Sequence, residues 1–356
     1  MNNLTARFQR IPTVAIVYIA LIAVMIVGAV LVNSVGRNFL SAGNIRDILT
    51  GMSVLGLVAI GQTLVILTSS LDLSVPYVVS LSSLLGATIM NGDPNRILIA
   101  VVVTIAVAAG IGTAIGLIVT KLKVHGFVAT LGIGLIVKGY LDTQYKGTAG
   151  SVPGEFQVIG ASGIGPVPIS TILMLVVAVL VALFLSKTRM GHHIFAVGGN
   201  EQVARFSGIR TAQPIIVAHM LCSVTAALAG LLLASRLGVG SPTVGTQGGY
   251  DLLSIAAVVL GGTLLMGGRG SIWGTIGGVA IFAVLDNVMS VMQVNPFLKD
   301  VVRGVVIVVA VAIYTGRAVH SRRARFAVTP ASAPNDSPTL TPLADSRDEV
   351  SNEPRG

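Results

Sequence analysis

The sequence predicts an all-α fold, a polytopic membrane protein with about ten transmembrane helices. Three observations carry that expectation. Charged residues make up only 10% of the 356-residue chain, against about 25% in an ordinary soluble domain. Mean hydropathy is +0.87, and apolar runs near the roughly 20 residues needed to cross a bilayer recur along the chain. Glycine is also abundant, at 42 residues, which suits helices that approach closely where no water drives them together. A single-solvent globular enzyme is excluded.

Taken in order, the N-terminus MNNLTARFQR is basic and precedes an apolar run at 14–32. That run is longer than a signal-peptide core and lacks a small-residue cleavage site, so it reads as a retained first span after a cytoplasmic segment 1–13. Further spans are expected near 46–68, 74–91, 97–120, 126–144, 169–186, 214–234, 251–266, 272–292 and 299–316. The third to fifth are the least clear, because Asp72, Pro76 and Lys138 interrupt them. The transmembrane domain is thus 14–316, with a long inner loop at 186–213. Ten spans with the N-terminus inside place 13 Lys and Arg of the inner segments near membrane ends and four (Arg37, Arg96, Lys146 and Arg236) in outer loops. This bias predicts that both termini are cytoplasmic. The outer stretch 145–168 is rich in Gly, Ser and Pro and reads as a loop. From 317 on, a basic stretch gives way to a Pro-, Ser- and Thr-rich tail expected to be disordered.

Catalytic chemistry is missing from the sequence. No G-x-x-x-x-G-K-[ST] loop occurs, and no G-x-S-x-G elbow. The five histidines, including adjacent His192 and His193, lack metal-ligand spacing. The single cysteine, Cys222, allows no disulfide. The net charge of +9 is scattered between apolar runs rather than gathered in a stripe, so nucleic acid is not an expected partner. Neither a cofactor nor a metal is expected.

The inner loop, KTRMGHHIFAVGGNEQVARFSGIRT over 187–211, is the most informative stretch. Asn200 is a good N-cap, and Glu201 sits in the first turn where the helix dipole favours an acid. Arg205 follows Glu201 at i+4, the favourable order for an ion pair, and Gly208 is a natural stop. These signals predict a two-turn helix over 201–207, flanked by Gly198-Gly199 and Gly208, with Val203, Ala204 and Phe206 giving it a partly apolar surface. So short a helix needs packing to persist. It is either a capped loop packed on its own domain or an element received by a partner's groove.

The segment GHHIFAVGGNEQVARFSGIRT resembles the cytoplasmic coupling loop of ribose-type ABC sugar-importer permeases, G-R-x-I-[YF]-A-[IL]-G-G-N-x-x-A-[AT]-R-L-S-G-I. VAIGQTLVILTSSLDLSV, at 58–75, resembles A-x-G-x-T-x-V-I-L-T-G-G-I-D-L-S-V-G of the same family. The stretch SPTVGTQGGYDLLSIAAVVLGGTLLMGGRGSIWGTIGG, at 241–278, resembles a third motif, P-x-x-G-x-G-Y-E-L-D-A-I-A-A-V-V-[IL]-G-G-T-S-L-x-G-G-x-G. Order and spacing fit over roughly residues 40–316, in a family that also includes branched-chain amino-acid permeases. Departures are Ser69-Ser70-Leu71 for Gly-Gly-Ile, Pro76 for glycine, Leu253 for an acid, and His125-Gly126 for a proline pair. The resemblance implies the membrane-spanning subunit of an importer for a small sugar. Its partners would be a second permease copy, a cytoplasmic ABC ATPase and an extracytoplasmic sugar-binding protein, and its place the bacterial inner membrane. It assigns ATPase coupling to Gly198, Gly199, Asn200, Glu201, Ala204, Arg205, Ser207 and Gly208. A branched-chain amino-acid permease and an ion-coupled secondary transporter are the alternatives.

Polar groups inside a bilayer are costly and face a cavity or a partner, which marks Thr63, Asp72, Ser74, Asp286 and Asn287 as translocation-pathway candidates. For Asp72 the competing reading is a turn whose carboxylate caps a helix starting near Pro76, with Ser74 as its cap residue. For Asp286 and Asn287 it is a hydrogen bond between helices. Lys138 and Asp142 are spaced for a helical ion pair. The runs GIGTAIG (110–116) and GTIGG (274–278) read as close helix contacts rather than phosphate loops.

Overall fold

The structure, a computed structural model, describes residues 13–306 and 308. Residues 1–12 of the expected N-terminal segment and the tail from 317 on lie outside the described residues, and Thr13 already begins α1. The helices are α1 (Thr13–Ser34), α2 (Ala42–Leu67), α3 (Val75–Met90), α4 (Ile97–Lys121) and α5 (Gly126–Gln144). They continue with α6 (Gly154–Ala161), α7 (Ile169–Lys187), α8 (Arg189–Gly199), α9 (Glu201–Phe206), α10 (Ala212–Leu237), α11 (Val244–Gln247), α12 (Tyr250–Leu260) and α13 (Ile272–Val291). A final helix, α14, runs over 296–306. Among the described residues, seven helices are long and apolar enough to cross a membrane. At the other expected positions α3 and α12 are shorter apolar helices, of 16 and 11 residues. The tenth expected span begins in α14 and passes out of the described residues.

Two helices form the core. In α2 every residue from Met52 to Leu67 is buried, and α10 is buried along most of its length. Small residues let their backbones meet. A Cβ added to Gly61 of α2 would lie 2.8 Å from the Cα of Cys222 in α10. The same test at Gly112 and Gly116 of α4 puts it 2.7 Å from the Cα of Met220 and 2.6 Å from that of Ile216. Gly274 and Gly278 of α13 meet the carbonyls of Gly261 and Ala257 just as tightly, whereas Gly110 has open space around it. Most of the two small-residue runs therefore serve packing, as expected. Around this core α1, α4, α5 and α7 expose apolar faces, with Val30 at 64%, Ile136 at 68% and Leu180 at 59%. That is the surface lipid would cover.

Between α2 and α3 the chain does not make a simple turn. After Leu67 it doubles back, so that Asp72 lies beside Gln62, a turn and a half before the end of α2. With its amide oriented to suit both groups, Gln62 donates to the Asp72 carbonyl (3.2 Å) and accepts from the Asp72 amide (3.1 Å). Irregular backbone at this depth is tolerated because protein groups satisfy it. Its re-entry leaves only 16 residues for α3.

The stretch 145–168 is more ordered than a loop. It holds α6 and a hairpin of β1 (Gly163–Ile164) and β2 (Val167–Pro168), paired antiparallel. Ser235 of α10 fastens α6, its hydroxyl donating to Phe156 O (2.7 Å) and accepting from Gly160 N (2.9 Å). Polar composition suggested a loop, but tertiary hydrogen bonds hold a helix there.

Segments separated by hundreds of residues sort to two ends. At one end the close of α2, the 264–270 loop and the 187–211 stretch touch: Gly268 N donates to Leu67 O (3.1 Å), and Ser69 Oγ reaches Gly198 O. At the other, Ala149 bridges Gly240, Gly92 N donates to Ser151 O (3.0 Å), and Arg46 donates to Ala161 O (2.7 Å).

Candidate coupling and pathway site

Arg189 to Gly199 forms an amphipathic helix whose inner face includes Gly191, Ile194, Val197 and Gly198. Thr188 caps it, accepting from Gly191 N (3.0 Å). Gly198-Gly199 thus belongs to the last turn of α8 and is not a free flank. Gly198 is glycine for a packing reason, since a Cβ there would run into Leu67 O. Gly199 by contrast has nothing within 4 Å.

The chain then turns sharply at Asn200 (φ −165°, ψ 109°), and its side chain accepts from Val203 N at 3.0 Å. α9 follows, ending one residue short of expectation because Gly208, in the left-handed region at φ 83°, closes it with Ile209 N donating to Ala204 O (3.0 Å). Ala204 alone in α9 points inward, joining Val197 and Ile215 in a small apolar cluster. Glu201 and Arg205 do not form the expected ion pair. Glu201 instead accepts from Thr211 Oγ1 (3.0 Å), which ties α9 to the start of α10; a nearby hydroxyl holds the carboxylate better than an exposed arginine at i+4.

What α9 offers outward is apolar. Phe206 is 83% exposed and Val203 59%, beside exposed Gln202, Arg205 and Ser207. The capping pattern located the helix, but the side chains that stand furthest out were not among the expected coupling residues. An apolar residue on a capped helix with no further core to fill was the available signal.

Beside α9 lies a cavity of about 680 Å³ lined by Ser69, Ser70, Lys123, His125, Asn200 and Arg205 among others. Hydroxyls, the amides of Asn200 and Gln202, the Glu201 carboxylate and the basic side chains of Lys123, His125 and Arg205 line it. All three resembling motifs meet around this end.

The pathway candidates are mostly satisfied within the chain. Thr63 Oγ1 donates to Ala59 O (2.7 Å) and pairs with Thr275 Oγ1 (2.8 Å), clasping α2 to α13. Asp72 is fully buried, and its Oδ1 accepts from both the backbone N–H and the hydroxyl of Ser74. Asp72 therefore caps α3, as one reading expected, while Ser74 makes no side-chain cap bond. Asp286 pairs in bidentate fashion with Arg303 of α14 (2.9 and 3.0 Å), the contact between helices that one reading expected, with a partner the sequence did not name. Two acceptors are left over: Asn287 Oδ1 and Asp72 Oδ2 are both buried without a partner among the described residues. Asp72 lies beside Gln62, Thr63 faces Thr275 of α13 and Asp286 is paired with α14, so the five do not form one cluster. Among the described residues, no group of three or more His, Cys, Asp or Glu could hold a metal ion.

Comparison with known proteins follows this geometry. Residues 44–311 match the family model described as branched-chain amino acid transport system / permease component. The ribose import permease protein RbsC of Escherichia coli (strain K12) is 38% identical over 299 residues, covering 83% of this chain and 92% of that protein. Its Bacillus subtilis (strain 168) counterpart is 37% identical, covering 80% and 88%. The D-allose transport system permease protein AlsC of Escherichia coli (strain K12) is 32% identical, covering 77% and 84%. No solved structure matches the chain.

Proposed function

The chain belongs to the branched-chain amino acid transport system / permease component family, and on that footing we propose that it is the membrane-spanning permease subunit of an ATP-driven ABC importer for a small sugar. It is an inner-membrane, multi-pass protein. The observation that carries the sugar reading is 38% identity to a ribose import permease along 83% of this chain. The allose relative keeps other monosaccharides open. The chemistry agrees: an uncharged sugar needs hydroxyls and amides along its path rather than fixed charge, and Asp72 has its Oδ1 engaged by Ser74 at the start of α3. A zwitterionic amino acid would need paired ionic contacts inside the bundle. The ATP-hydrolysing step falls to a partner, since this chain has no phosphate-binding loop.

The end of the bundle that carries α8 and α9 is the cytoplasmic one in this reading, and α9 is the element received by the ATPase. Phe206 and Val203 are its anchors, Arg205 and Gln202 its polar rim, and Asn200, Gly198 and Gly208 set its aim. Exposed aromatic knobs on a short rigid helix are what a partner's groove takes. ATP-driven movement of the partner then biases the permease between outward- and inward-facing states. Two copies enclose the path, a binding protein delivers sugar from the opposite face, and the acceptors left unpaired among the described residues, Asn287 Oδ1 and Asp72 Oδ2, are the candidate contacts for a passing hydroxyl. Thr63, Asp72 and Ser74 shape the path by fixing the backbone around it.

The test is co-purification of the ATPase with the permease. Deleting 199–205, or making F206A, leaves membrane-inserted permease that recovers at least tenfold less ATPase. Undiminished recovery from both would sink the docking role.

A further inference from the structure

Ser69 has an unusual backbone. Its φ of 63° places a non-glycine residue in the left-handed region, where a Cβ is disfavoured and which persists only when the surroundings over-determine it. The surroundings are two carbonyls from two other segments. Ser69 Oγ stands 2.6 Å from Met266 O in the 264–270 loop and 3.0 Å from Gly198 O in the last turn of α8. One hydroxyl proton serves one acceptor at a time, so the side chain switches between them or is shared. There is no slack around it: a Cβ on Gly267 would strike Ser69 Oγ, and one on Gly198 would strike Leu67 O.

The residues that follow are tied inward just as densely. Ser70 Oγ meets Nε2 of buried His219 in α10 (3.3 Å), and the Leu73 amide donates to Thr130 Oγ1 of α5 (3.1 Å). Asp72 is held by Gln62 and caps α3 through Ser74. The re-entrant segment 68–74 is therefore one hydrogen-bonded strap reaching α2, α3, α5 and α10, and Ser69 is its outermost member. On its outer side stands the root of the docking helix.

We propose that Ser69 is the positioning residue through which movement of α9 reaches the strap, and hence α3, making it the mechanical tie between docking and the transport path. The proposal rests on the reading of α9 as the docking element. α8 cannot slip where Gly198 lies against Leu67, so a pull on α9 turns about that contact. The adjoining cavity of about 680 Å³ gives α9 room to swing. Swinging carries the Gly198 carbonyl with it, and the Ser69 hydroxyl either follows or passes to Met266 O. Either event displaces the backbone of 68–74. Without the hydroxyl, the root of α9 would merely rest on the end of α2.

S69G tests this without threatening the fold, because glycine takes φ 63° without strain; S69A is the companion that keeps the Cβ. Each variant is assembled into proteoliposomes with the ATPase and binding protein. The readouts are ATPase recovery, ATP hydrolysis and accumulation of whichever of ribose, allose or galactose the wild-type importer takes up. For both variants, recovery and hydrolysis stay within twofold of wild type while sugar moved per ATP falls at least fivefold. Wild-type sugar per ATP in S69G would overturn the tie. Loss of ATPase recovery in S69G would overturn it too, by making Ser69 part of the docking surface. Failure of the docking reading shows separately, as ATPase still recovered after deletion of 199–205.

Discussion

Thr63 and Thr275 face each other across α2 and α13 with their hydroxyls 2.8 Å apart, both fully buried. A hydrogen bond between helices in a membrane protein contributes on average about 0.6 kcal/mol. Removing one partner also strands the other buried hydroxyl, which costs about 1–3 kcal/mol unless it turns to its own backbone. Both hydroxyls have that escape, Thr63 to Ala59 O and Thr275 to Ser271 O. T63V should therefore cost about 1 kcal/mol, and a T63V/T275V cycle in detergent unfolding should show coupling of about 0.6 kcal/mol. A cycle with no coupling would show that the contact carries no energy. The sequence marked Thr63 as unusual but not its partner 212 residues away, because a hydroxyl inside an apolar run reads the same whether it faces a helix or a solute.

At the scale of elements, α9 is a six-residue helix that cannot hold itself together in water. Its cap and its inward Ala204 supply what propensity lacks. N200A removes the acceptor of Val203 N and should cost about 1 kcal/mol of local stability. That corresponds to a roughly fivefold larger open fraction. Hydrogen exchange at the amides of 203–206 should speed up about fivefold while α2 and α10 are unchanged; equal protection in N200A would show that packing alone holds α9. The capped helix was legible because capping is local chemistry. The Glu201–Arg205 pair was not, because spacing permits a contact that Thr211, ten residues away, wins in three dimensions. α6 escaped detection for a related reason, its anchor being Ser235 on a distant helix.

At the scale of the whole molecule, positions 68–70, 120–125, 187–211 and 266–269 all fall on one side of the ten-span arrangement. The structure places residues of all four around a single cavity. The segments at 91–96, 145–168 and 236–240 fall on the other side and touch one another. Relative sidedness thus has two independent supports, from charge and from contact. Absolute sidedness is testable because Cys222 is the only cysteine and is fully buried. In right-side-out vesicles a membrane-impermeant maleimide should label K146C and spare S207C. Inverted vesicles should reverse the pattern, and the unsubstituted protein should stay unlabelled in both. Labelling of S207C from outside would reverse the orientation.

The sequence by itself determined the all-helical membrane class, the position of nearly every apolar helix, the capped helix α9 and the family. Each of these rests on composition, on periodicity or on motifs and their order, signals that are read along the chain without knowing which segments touch. Only the tertiary structure decided what the polar residues do. It spent Asp72 on α3, gave Asp286 to Arg303, turned Gly198 into a contact point and set Ser69 between two distant carbonyls. A buried polar group takes its role from whichever partner satisfies it, and in this bundle those partners stand anywhere from two residues away, as Ser74 does from Asp72, to 212, as Thr275 does from Thr63.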